Sequence, residues 1–358
     1  MSGASTEWSG QVGGAVSTTT FVRVETSQGL VGHGATASYS SGCADLSQLE
    51  AARVLGSGLL RDETLEPAAL LRMSHEMPLT PQYGALSALD IALWDVLGQR
   101  AGMPLYQLLG GVDRPMRGYA SMPFLGSAEN YLQSIDELRR AGYTAFKLHT
   151  WCEYGKDVEL VKDVSEALAG TGLALMLDVE QSYSRVEAAR MARILDTYEW
   201  RWFEAPLPDT DVEGYASLRQ RCLTPVLNSG NRVIDPRGVM AGARSSAWDA
   251  VRFDTTVAGG ITAARSLSAI ARMFDLPVEL QSWGHSLIEA ANLHAALGFT
   301  TSEFFEIAVP RDPYELGVSS PIRIDGAGQV RANQRAGLGV SLDWDAVEQA
   351  AVVHHILT

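Results

Sequence analysis

Lys147, His149, Asp178, Glu204, Asn231, Asp254, either Gln281 or His285, and Glu306 end or closely follow short apolar runs. From Lys147 through Asp178, Glu204 and Asn231 to Asp254 the steps run from 23 to 31 residues. Each step is the length of one strand–helix unit. A lone Asp or Asn most often caps a helix or shapes a turn. The regular spacing sets Asp178, Glu204 and Asn231 apart, because ends of adjacent parallel strands converge. Two carboxylates and an amide oxygen make a hard, all-oxygen site of the kind that suits Mg²⁺. Asn228 competes with Asn231 as the third donor.

Positioning such a set needs a repeating scaffold. Strand candidates are Arg117–Ser121, Thr144–His149, Ala174–Val179, Trp200–Phe203, Pro225–Ser229, Ala250–Phe253, Pro277–Gln281 and Glu303–Phe305. Amphipathic stretches such as Asp157–Ala169, Arg185–Asp196 and Ala263–Phe274 alternate with them. Eight strands alternating with helices predict a parallel barrel, whose active site lies at the C-terminal strand ends. Phe21–Thr26 followed by Gly-Leu-Val-Gly reads as a hairpin, and Ala51–Arg61 and Ala85–Ala101 as helices. The turn-rich C-terminal stretch joins them in an α+β domain covering the barrel mouth. The expected division is residues 1–113 plus 319–358 for the cap and 114–318 for the barrel.

The 358 residues are enough for a barrel and a smaller domain, and 46% hydrophobic with 20% charged residues is ordinary for a globular chain. A formal charge of -14 argues against nucleic acid or an anionic membrane as partner. It leaves room for an anionic substrate, because a bound cation reverses the local field. Cys43, Cys152 and Cys222 are widely spaced, which argues against a disulfide framework. With neither a signal-peptide pattern at the N-terminus nor a long apolar run, a cytoplasmic location is expected.

Ala88-Leu-Asp-Ile-Ala-Leu-Trp-Asp95, running on to Pro104-Leu-Tyr-Gln-Leu-Leu-Gly-Gly111, resembles the entry helix and loop of the mandelate racemase branch of the enolase superfamily. Phe146-Lys147-Leu148-His149 resembles that family's Lys-x-Lys strand. Leu177-Asp178 and Phe203-Glu204-Ala205-Pro206 resemble its first two metal-ligand strands. Phe253-Asp254 with Gly259-Gly260-Ile261-Thr262 resembles its sixth strand and following turn. The resemblance covers Thr18 to the C-terminus. It implies a (β/α)7β modified barrel and one Mg²⁺ per site. It also implies a small-molecule carboxylate substrate whose α-proton is removed through an enediolate, and often a symmetric homo-oligomer.

Three departures stand out. Asn231 replaces the usual third Glu, as in glucarate dehydratase-like sites. His149 replaces the second Lys, and an imidazole can act as base near neutral pH; Lys147 then partners the substrate carboxylate. At the seventh strand either Gln281 or His285 holds the base position, and in the first case the Asp254–His dyad is missing. Glu306 matches the acid that binds a substrate carboxylate oxygen. Glu180, Gln181, Trp151 and Trp283 are candidate specificity contacts, His33 and His75 are weaker ones, and His294 reads as structural. Gly10–Val16 is short where relatives carry a longer specificity loop.

The favoured reaction is dehydration of a sugar acid to a 2-keto-3-deoxy acid. Lys147 and His149 would serve one face and His285 with Asp254 the other. The alternatives are a racemase or epimerase of a hydroxy or amino acid, and a regulatory barrel that has lost its base.

Overall fold

The structure is a computed structural model that describes residues 16–40, 45–63, 65–76 and 83–357. The proposed specificity loop before Val16, and Cys43, lie outside the described residues. The strands are β1 (Val16–Glu25), β2 (Val31–Ser40), β3 (Met116–Met122), β4 (Ala145–His149), β5 (Ala174–Asp178), β6 (Trp202–Glu204), β7 (Val226–Leu227), β8 (Val251–Phe253), β9 (Val278–Leu280), β10 (Phe304–Ala308) and β11 (Gln329–Val330). Helices α1 (Leu46–Arg61), α2 (Pro67–Glu76), α3 (Tyr83–Ala101) and α4 (Leu105–Leu108) precede the barrel. Within it, α5 (Ala128–Arg140), α6 (Tyr154–Ala167), α7 (Arg185–Thr197), α8 (Val212–Arg219), α9 (Pro236–Arg244), α10 (Gly260–Met273) and α11 (Ser286–Phe299) alternate with strands. A short α12 (Trp344–Ala350) lies near the C-terminus.

Six strands pair in parallel in the order β10-β3-β4-β5-β6-β7, and β8 pairs in parallel with β9. A parallel bridge between Leu227 and Ala250 links the two arcs. Eight strands and the seven helices between them give the (β/α)7β order. The helices start where local chemistry dictates. Ser184 and Glu187 form a reciprocal capping box on α7. Asp235 caps α9, with Pro236 in its first turn.

Strand alternation divides the side chains. Phe146, Leu148, Leu177, Phe203 and Phe253 face the helices in the main core. Tyr119, Ala145, Met176, Trp202, Leu227, Ala250 and Phe304 form a separate buried plug. Two residues further along the same face come Lys147, Asp178, Glu204, Arg252 and Glu306. The polar layer therefore stands directly on an apolar one, and the strand period alone puts it there.

The β1–β2 hairpin and α3 hold the cap on the barrel. A Cβ on Gly34 would sit 1.8 Å from the Ala88 carbonyl oxygen, so only glycine allows this approach of β2 to α3. At the far side of α3, Asp90 accepts bonds from the Thr262 N–H (3.1 Å) and hydroxyl (2.5 Å), at the start of α10. Trp94 Nε1 donates to the Thr262 hydroxyl at 2.9 Å. Gly259 and Gly260, at φ +106° and +86°, make the turn that presents this helix end. The C-terminal segment joins both units. β11 pairs antiparallel with β3, while Trp344 packs edge-on against Phe21 and at a tilt against His33 of the hairpin.

Candidate active site

His149, Asp178 and Glu204 share one rung across β4, β5 and β6. Two residues earlier on β4, the Lys147 ammonium is buried among carboxylates. Its Nζ lies 2.8 Å from Glu306 Oε1, 2.9 Å from Glu204 Oε1 and 3.5 Å from Asp178 Oδ2. Burial opposes the charge on Lys147, but Glu204 and Glu306 outweigh it and hold its pKa well above the usual lysine range. Lys147 is thus a fixed cation rather than a resting base. Burial likewise opposes ionisation of Asp178, and the charges of Lys147 and His149 overcome it, keeping this carboxyl ionised.

The His149 Nδ1–H donates to the Met122 carbonyl at 2.8 Å. That bond fixes the ring and turns Nε2 toward Asp178 Oδ2 (3.3 Å) and Glu180 Oε1 (3.7 Å). Burial lowers the imidazole's proton affinity, but Asp178 more than restores it, so its pKa is raised. Glu180 and Gln181 both adopt left-handed backbone, at φ +50° and +63°, just past the end of β5. Such strain gathers where a strand end must redirect a side chain. Burial and the Asp178 charge push the Glu180 carboxyl up to about 7.

Asp254 follows β8, and its Oδ1 accepts from the Thr256 N–H (2.7 Å), the Thr256 hydroxyl (2.7 Å) and Asn292 Nδ2 (2.8 Å). The seventh-strand register resolves to Gln281. Its N–H donates to the Phe253 carbonyl at 3.0 Å, continuing the β8–β9 ladder, and its buried Oε1 has no hydrogen-bond partner among the described residues. His285 sits instead at the N-cap of α11. Its Nδ1 accepts the Leu287 N–H at 3.1 Å, and its Nε2–H donates to the Leu316 carbonyl at 2.8 Å. With both nitrogens engaged in backbone bonds, His285 is a helix cap, which corrects the expectation of an acid or base at this position.

The expected oxygen triad is also incomplete. Asn231 is exposed in the loop after β7, where its N–H donates to Ser229 Oγ. Asn228 spends its amide on the backbone of Arg252, accepting at 3.1 Å and donating at 3.2 Å. The inward position two residues beyond Leu227 is Ser229, whose hydroxyl donates to Asp209 at 2.6 Å. Asp178 and Glu204 converge, but β7 brings no amide oxygen to them. His149, Asp178 and Glu180 do offer one donor atom each within 4.8 Å of one another.

Arg252 and its neighbours escaped sequence reasoning. Its guanidinium is fully buried, with Nε 2.8 Å from Glu204 Oε1 and Nη2 2.8 Å from Glu306 Oε2. Nη2 also donates to the Tyr119 hydroxyl at 3.1 Å, and Trp202 Nε1 donates to Glu204 Oε2 at 3.1 Å. The signal was present: a charged residue inside the apolar run Ala250–Phe253, two positions before Asp254 and so on the same inward face. Glu306 also accepts the Ser282 N–H at 2.9 Å. Trp283 packs edge-on against Tyr314, and Trp151 against Phe124.

Comparison with known proteins agrees with this architecture. Residues 130–346 match the enolase C-terminal domain-like family model. Residues 12–110 match that of the mandelate racemase / muconate lactonizing enzyme N-terminal domain. A solved structure from Pseudovibrio sp., assigned to the mandelate racemase/muconate lactonizing enzymes, superposes with a TM-score of 0.94 at 36% identity, covering 97% of this chain and 93% of that one. The arabinonate dehydratase of Saccharolobus solfataricus is 26% identical over 89% of this chain and 87% of its own. The L-talarate dehydratase of Polaromonas sp. JS666, complexed with Mg and L-glucarate, has the same fold, with a TM-score of 0.80 at 23% identity over 93% and 92% of the two chains. Relatives also include a racemase, the N-succinyl-L-Arg/Lys racemase of Bacillus cereus. With both domains matched, the chain belongs to the enolase superfamily, in its mandelate racemase/muconate lactonizing enzyme branch.

Proposed function

We propose that this protein removes the proton α to the carboxylate of a sugar acid and expels the β-hydroxyl as water, leaving a 2-keto-3-deoxy acid. The observation that carries this reading is the environment of His149, at the C-terminal end of β4, whose Nδ1–H is tied to a backbone carbonyl while Nε2 lies beside Asp178 and Glu180. Once Nε2 has released its proton, an imidazole held this way presents a lone pair for the α-proton, and the Asp178 carboxylate that raises its proton affinity strengthens it as a base. The Lys147 ammonium partners the substrate carboxylate and opposes the charge that develops as the proton leaves. As the Cβ–O bond breaks, the hydroxyl takes a proton from Glu180 and departs as water. The enol then becomes the keto acid.

Racemisation is the second reading, favoured by the racemases among the relatives. It needs a base on each face of the α-carbon, and Gln281 stands at the seventh-strand position where the second would be. An amide cannot take that proton, which favours dehydration. Solved relatives hold Mg. The triad of Asp178, Glu204 and Asn231 does not assemble here, so no step above runs through a metal ion.

Incubating the protein in D₂O with a panel of sugar acids, with and without Mg²⁺, tests the proposal. Keto acid carrying one deuterium at C3, the carbon protonated as the enol becomes the ketone, is the expected result. Deuteration without keto acid would replace dehydration by epimerisation. His149→Asn should slow exchange by roughly 10²–10⁴-fold, the usual contribution of a general base. Full activity in that variant would remove His149 from the mechanism.

A further inference from the structure

We infer that Arg252, together with Lys147, is a resident cation that takes the place of a divalent metal ion between Glu204 and Glu306. The inference deepens the reading of this barrel mouth as a carboxylate-binding site and rests on it for where a ligand sits.

Three observations carry it. First, both oxygens of Glu204 are already engaged: Oε1 by Lys147 Nζ and Arg252 Nε, Oε2 by the indole N–H of Trp202. A metal ion on Glu204 would have to displace these partners or lie against two positive charges. Second, Arg252 cannot swing out to make room. It is fully buried on a barrel strand, and the backbone of its own residue is clamped on both sides by the Asn228 amide. Third, the strand beside Glu204 supplies no further oxygen, because Asn228 makes that clamp, Ser229 binds Asp209 and Asn231 is exposed.

A guanidinium is always charged and spans two carboxylates with its planar fork. Arg252 does so between Glu204 and Glu306, which fixes Glu306 beside Lys147. Its Nε and Nη1 are both buried with no hydrogen-bond partner among the described residues, so Nε meets Glu204 as an ion pair at 2.8 Å rather than through a directed hydrogen bond, and the fork keeps donors unspent. Two fixed positive charges supply what a divalent ion supplies elsewhere: an electrostatic sink for a carboxylate that gains charge as its α-proton leaves. Arg252 is therefore a positioning residue that acts through Glu204, Glu306 and Lys147.

The test is metal binding by the full chain, read without catalysis. Mn²⁺ is titrated into metal-stripped protein while the electron paramagnetic resonance signal of free Mn²⁺ is followed. The wild type should take up no stoichiometric Mn²⁺ at millimolar concentration. Arg252→Met removes one of the two cations held against Glu204 Oε1 and should bind Mn²⁺ at least tenfold more tightly than the wild type, whereas Arg252→Lys should gain nothing. One tight Mn²⁺ per wild-type chain, abolished by Glu204→Gln or by Glu180→Gln, would overturn the inference. So would a folded Arg252→Met protein that gains nothing. If Arg252→Met fails to fold, judged by circular dichroism, the wild-type titration decides alone. Deuterium exchange measured separately after chelation keeps the two ideas apart. Exchange that survives chelation supports both, and Mn²⁺-silent protein with no exchange on any acid sinks the proposed reaction while leaving the cation assignment standing.

Discussion

Lys147 is held by more negative charge than it can neutralise, and that makes it the most sensitive residue of the site. Three carboxylates lie within 3.5 Å of its Nζ, and the lysine is almost fully buried. Removing one partner of a buried ion network leaves uncompensated charge, at a cost of about 3–5 kcal/mol. Lys147→Met should accordingly lower the unfolding free energy by about that amount in urea titrations and abolish α-proton exchange. Unchanged stability would mean that the carboxylates are neutralised by Arg252 alone. At this scale the sequence was readable wherever strand period alone mattered. Lys147, His149, Asp178, Glu204 and Glu306 all follow from alternation. Asn231 did not, because β7 ends at Leu227 and alternation has no hold on a side chain in the loop beyond.

The joint between α3 and α10 shows what the most distinctive sequence motifs do. Asp90 and Trp94 on one side and Gly259-Gly260-Ile261-Thr262 on the other carried much of the family resemblance, yet none touches the candidate site. They fasten cap to barrel. A Cβ on Gly260 would fall 2.3 Å from Asp90 Oδ2, and the residue is at φ +86°. Gly260→Ala should therefore destabilise the protein by about 1–3 kcal/mol through backbone strain, with further loss from the clash. A lowered melting temperature checks this, and a temperature equal to wild type would show that the turn relaxes freely. Element types and order were legible because hydrophobic periodicity and caps are local. Strand ends near the mouth were less so, since Val226–Leu227 and Val251–Phe253 owe their pairing to neighbours rather than to their own short runs.

Across the whole molecule, His294 ties three distant segments together. On α11, its Nδ1 accepts the Tyr106 N–H at 3.0 Å, and its Nε2–H donates to the Leu338 carbonyl at 3.2 Å. A second ring proton would point at the Tyr106 N–H. Burial lowers its pKa from 6.5 to about 4, the Leu338 bond opposing only in part. The sign of the linkage follows: the folded protein binds this proton more weakly than the unfolded chain. The contribution is complete above pH 6.5 and is lost as pH falls toward 4, by up to about 3 kcal/mol. Denaturation midpoints measured across that window should fall in the wild type and stay flatter in His294→Gln. Parallel slopes in the two proteins would assign the acid sensitivity to other groups.

The sequence by itself determined the strand–helix alternation, the inward polar face and the membership signals of the cap–barrel joint. These depend on periods and motifs within a few dozen residues. Only the tertiary structure decided which of Gln281 and His285 completes the seventh strand, because register is set by the β8 ladder and by the cap that His285 forms on α11. It also decided what neutralises Glu204. Arg252 lies 48 residues further along the chain, and barrel closure brings its guanidinium to that carboxylate. Charge balance in a buried site is a sum over residues from many strands, and no local pattern contains it.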